Sequence, residues 1–97
     1  MKKLMILALM MMAALNASAK ETDTCKNIAE VAETIMDARQ SGVSVVDMME
    51  IAGDNDLMKK MVIYAYKQPK YNGAEFRRKE IASFKNEFYI ACYETLN

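Results

Sequence analysis

The chain has 97 residues, 13 Lys and Arg against 13 Asp and Glu, two cysteines, and neither histidine nor tryptophan. That length supports one folded domain. The missing histidine excludes Ser-His-Asp and Cys-His catalysis, histidine metal sites and haem held by histidine.

The first element is the opening stretch MKKLMILALMMMAALNASA. Lys2 and Lys3 form a positive start, Leu4 to Leu15 is an unbroken apolar run, and Ala17 and Ala19 stand at the small-residue places of a cleavage site. This is the layout of a secretory signal peptide. A membrane anchor is the other reading, but the run of twelve is short of the roughly 20 residues a bilayer span needs. A lipoprotein needs a cysteine directly after the cut, and Lys20 stands there. The sequence therefore predicts a signal peptide over 1–19, cleaved after Ala19, and a helical domain over 20–97. It places the protein in the periplasm or outside the cell. Five of the ten methionines belong to the leader, and Met36, Met48, Met49, Met58 and Met61 read as core filler.

Helical periodicity runs through the rest. Cys25, Ile28, Ala29, Ala32, Ile35 and Met36 recur at steps of three and four. Asp23 or Thr24 suits the start of that helix and Gly42 its end, giving about Thr24 to Gln40. A second helix begins at Ser44, with Asp47 at capping-box spacing. Val45, Val46, Met48, Met49, Ile51 and Ala52 make it apolar nearly all round, which predicts burial. A third follows Asp54 or Asn55, carries Leu57, Met58, Met61, Val62 and Ala65, and stops before Pro69. The fourth opens at Asn72, with Glu75 at capping-box spacing, and runs Phe76, Ile81, Phe84, Phe88, Ala91 and Cys92 along one side. No segment alternates like a strand. The expected fold is all-α, a small bundle of about four helices.

A domain this small usually needs a staple. Cys25 and Cys92 are its two cysteines, and export places them where disulfides form. A redox pair would want C-x-x-C spacing. The pairing would join the start of the first helix to the end of the last. It predicts that those two helices run antiparallel, with the shorter pair packed across them.

Charge is uneven along the chain. Residues 20–56 carry three basic and nine acidic side chains, and residues 57–97 carry eight basic and four acidic. Such asymmetry marks either an interaction face or two halves that neutralise each other on packing. No phosphate-binding, dinucleotide-binding or nucleophile-elbow motif occurs. The acidic start at Asp54 lacks the glycine and glutamate that a calcium loop requires, since Lys59 and Ala65 stand at those places. Glu30 and Glu33 read as a solvated face. No catalytic motif, cofactor site or metal site is expected.

The most distinctive surface stretch is AYKQPKYNGAEFRRK, Ala65 to Lys79. Tyr66, Lys67, Lys70, Tyr71, Arg77, Arg78 and Lys79 mix aromatic rings with cations around one turn. That chemistry suits an acidic protein patch, lipid head groups or an anionic polymer. The bland alternative is a solvated turn with its rings tucked over the core edge. Export makes nucleic acid an unsuitable target.

The stretch CKNIAEVAETIMDARQSGVSVVDMMEIAGDND resembles the start of small exported, helical, single-disulfide proteins of bacterial and phage genomes. That resemblance implies fold and compartment, and carries no functional residue with it. In layout alone the chain is also similar to acid-stress periplasmic chaperones and to phage-encoded envelope proteins that inhibit a lytic enzyme. The sequence reading is a small exported protein that docks on an envelope or extracellular protein, as an inhibitor or modulator, without stable membrane insertion once the leader is removed. Its alternative is a stress holdase that exposes the apolar second helix on demand.

Overall fold

The computed structural model describes residues 7–96, with side chains described for residues 24–95. Lys2 and Lys3, the positive start of the expected leader, lie outside the described residues. Four helices follow in order: α1 (Leu7–Ser41), α2 (Val45–Ala52), α3 (Asp56–Tyr66) and α4 (Ala74–Leu96). Among the described residues there is no strand, and no helix is long and apolar enough to cross a membrane.

Helix α1 starts well before the expected Thr24. No glycine or proline interrupts the chain from Leu7 to Ser41, and alanine, leucine and methionine favour helix strongly. Asp23 and Thr24 therefore lie inside the helix rather than at its cap. Its end is closed by Gly42 at φ +92°. The Val43 amide donates to the Ala38 carbonyl (3.0 Å) and the Gly42 amide to that of Arg39 (3.2 Å), the paired bonds of a Schellman ending. Ser44 caps α2 by accepting from the Asp47 amide (3.1 Å), and Asn55 caps α3 by accepting from the Met58 amide (2.9 Å). At α4 the expected Asn72 cap is displaced by one residue. Gly73 precedes the first turn and accepts from the Arg77 amide, while Glu75 pairs with Lys79.

The Cys25–Cys92 disulfide forms and brings the two Cα atoms to 5.4 Å. Further along the same pair of helices, Lys85 of α4 meets Glu33 of α1 at 3.1 Å. Partners thus advance along α1 as they recede along α4, so the long helices are antiparallel. Helix α3 lies on this pair. Its Tyr64 ring sits 5.7 Å from Phe84 and 6.0 Å from Phe88. The core is Ala32, Ile35, Met36, Met48, Met61, Val62, Ala65 and Phe84.

Three expectations differ from the structure. Only α3 crosses the long pair; α2 packs mainly against α3, at the edge of the bundle. Consequently α2 buries Met48 and Ala52 alone and leaves Val46 and Ile51 exposed, because an edge helix has one neighbour to pack on. On α4, Phe84 is buried, but Phe76 and Ala91 stand exposed rather than on the core side.

The disulfide closes a loop spanning a separation of 67 residues. In the chain-entropy model this is worth about 4 kcal/mol, a large share of the roughly 5–15 kcal/mol that holds a small domain folded. Replacing both cysteines by serine is expected to lower the unfolding free energy by about that amount in urea titration. An unchanged midpoint would mean that the core holds the helix ends together unaided.

Candidate docking turn

The segment between α3 and α4 owes its shape to two residues near the end of α1. Gln40 falls four residues after Met36, on the apolar stripe, and is almost fully buried at 3 % exposure. A buried amide must find partners. Its Nε2 donates to the Pro69 carbonyl (2.8 Å), and its Oε1 accepts from the Tyr71 amide (2.8 Å). Nε2 also approaches the Met36 sulfur at 3.5 Å. Beside it, Arg39 donates to the Gln68 carbonyl from both Nε (3.2 Å) and Nη2 (2.9 Å). Gln68, Pro69 and Tyr71 are therefore tied to α1. Pro69 ends α3 and cannot donate, so this loop cannot satisfy itself as helix would.

The seven residues singled out from the sequence separate into two groups. Tyr66, Tyr71 and Arg77 are engaged within the chain. Tyr66 donates its hydroxyl to the Val43 carbonyl (2.6 Å), with the Arg39 guanidinium 5.2 Å from the ring centre. Tyr71 is half-buried, its ring 6.1 Å from that of Phe76. Arg77 donates to the carbonyls of Tyr71 (3.3 Å) and Asn72 (2.6 Å), holding the start of α4 to the loop. Lys79 pairs with Glu75 on the surface and lies 5.9 Å from the Phe76 ring. Lys67, Lys70 and Arg78 are exposed and take part in none of the ion pairs among the described residues. Phe76, near Tyr71 and Lys79, is 59 % exposed.

Sequence reasoning missed Arg39 and Gln40. The signal was present: an amide on an apolar stripe needs a buried partner, and backbone groups of a neighbouring loop can supply one.

The remaining surface offers little chemistry. Among the described residues, no group of three or more Cys, Asp or Glu side chains could hold a metal. A cleft of about 350 Å³ lies at the disulfide end, walled by Ile28, Leu57, Phe88, Ala91 and Cys92, and no charged side chain lines it. Among the described residues, Glu33–Lys85 is the ion pair that joins the acid-rich half to the base-rich half across separate helices. Packing thus leaves most of the charge asymmetry on the surface. Comparison with protein-family models, curated proteins and solved structures gives no match to this chain.

Burial pushes the Tyr66 phenol above the usual tyrosine range; Arg39 pulls it down and Asp47 adds to the rise. A raised pKa means the folded chain keeps a proton that the unfolded chain releases. The stability it brings is full below the unfolded tyrosine value near 10 and is lost as pH rises through the folded value. Ionisation also removes the donor to Val43. Melting temperature is expected to fall above about pH 10 more steeply in the parent than in Tyr66→Phe. Parallel profiles would show that the Tyr66 proton is not coupled to folding.

Proposed function

We propose that this chain is a small exported docking protein. Its turn at residues 67–79 engages an acidic patch on an envelope or extracellular protein and thereby inhibits or modulates it. One observation carries this reading: the turn is tied to α1 by Arg39 and Gln40, while Lys67, Lys70 and Arg78 stay exposed. A surface held in shape before binding gives up little conformational freedom on association. Exposed cations raise the rate at which an acidic partner is met, and do so most at low salt.

The holdase alternative requires an apolar helix released on demand. Val46 and Ile51 of α2 are already 62 % and 66 % exposed in the resting fold, so acid has little left there to release. That favours docking.

The test uses the oxidised chain as bait in envelope extract, with mass spectrometry of what is retained. A single stoichiometric partner is expected. Lys67→Ser, Lys70→Ser and Arg78→Ser together are expected to weaken its binding about tenfold or more at low salt, roughly a few tenths to 1 kcal/mol per exposed charge. Undiminished binding by that variant would remove the turn from the contact.

A further inference from the structure

Helix α2 turns an unmatched face outward. Val46 and Ile51 are both largely exposed, and the helical repeat places Asp47 and Glu50 between them. No lysine or arginine occurs between Arg39 and Lys59. Among the described residues, Asp47, Glu50 and Asp54 take part in none of the ion pairs. The face is therefore acidic with apolar flanks.

The complementary surface lies on the same chain, and next to it. Lys67, Lys70 and Arg78 are exposed cations. Tyr66, at the end of α3, is bonded to Val43, two residues before α2. A Cβ at Gly42 would lie 3.7 Å from Cε of Lys70. The acidic face and the basic turn thus adjoin at residues 42–45. Two unlike patches side by side become self-complementary about a two-fold axis, because the same contact then forms twice.

We propose that the outward face of α2 docks on the basic turn of a second copy of this chain. The contact rests on reading the turn as a docking surface and adds its control: the dimer hides Lys67, Lys70 and Arg78, and the monomer displays them. Patches this small belong to the transient class of interfaces, below about 1,200 Å² in total. Pairing is therefore expected to depend on concentration and on salt.

Sedimentation velocity on the oxidised chain tests this across a concentration series. The salt is set at about 0.01 M and then about 1 M, where the screening length falls from about 30 Å to 3 Å. A monomer–dimer equilibrium is expected at low salt, at least tenfold weaker at high salt. Val46→Ser/Ile51→Ser and Lys67→Ser/Lys70→Ser/Arg78→Ser should each be monomeric with unchanged helical circular dichroism, since all five residues are exposed. Mixing the two variants recreates one of the two contacts and should give a 1:1 species that neither forms alone. A monomer throughout at low salt overturns the proposal. So does a dimer that survives the turn substitutions, which would mean that α2 pairs with α2. Retention of an envelope partner is read separately on Val46→Ser/Ile51→Ser, whose turn is intact. If that variant still captures the partner while the parent shows no dimer, self-docking fails and the docking turn stands.

Discussion

A single buried amide organises one end of this bundle. Gln40 lies on the stripe that otherwise carries Cys25, Ala29, Ala32, Ile35 and Met36 into the core. Left without partners there, an amide would cost about 1–3 kcal/mol. It finds them in the carbonyl of Pro69 and the amide of Tyr71. Those are two backbone groups that a proline-broken loop leaves without helical partners. One pairing thus satisfies both the side chain and the loop, and Arg39 does the same for Gln68. The disulfide holds the other end, so the long antiparallel pair is fixed covalently at one end and by hydrogen bonds at the other.

The consequence is a division of labour among the cations of the turn. Arg39 and Arg77 are committed to backbone carbonyls: Arg39 aims two donors at the Gln68 carbonyl, and Nη1 of Arg77 reaches those of Tyr71 and Asn72. Lys67, Lys70 and Arg78 are not drawn inward and project from a frame those arginines hold. Helix α2 shows the opposite arrangement. It sits at the edge, contributes Met48 to the core, and turns acid and aliphatic groups to the outside. The chain's charge asymmetry therefore appears as two neighbouring surfaces of opposite sign rather than as mutual neutralisation.

Much of this frame could be read from the residues. The three-and-four spacing from Cys25 to Met36 marked the buried side of α1, two cysteines allowed one pairing, and Ser44 and Pro69 punctuated the chain where the structure does. The start of α1 was not readable from caps, because nothing between Leu7 and Ser41 breaks a helix. The exposure of α2 was not readable either. An eight-residue helix rich in valine and methionine looks buried from every side until its number of neighbours is known. Tyr66, Tyr71 and Arg77 have the composition of a contact surface, yet backbone carbonyls and a neighbouring ring claim them. Composition cannot distinguish those uses. Gln40 could have been caught by asking what a polar side chain does on an apolar stripe.

Under the proposed docking role, Gln40 holds the turn in one shape before any partner arrives. Backbone amide order parameters for residues 67–73 of the free, oxidised chain test this most directly, measured beside Gln40→Leu. Values near about 0.85, as in rigid backbone, are expected for the parent, falling toward about 0.6 or below in the variant. Low values in the parent would contradict the account, because a turn that is mobile when free offers no preformed surface to dock with.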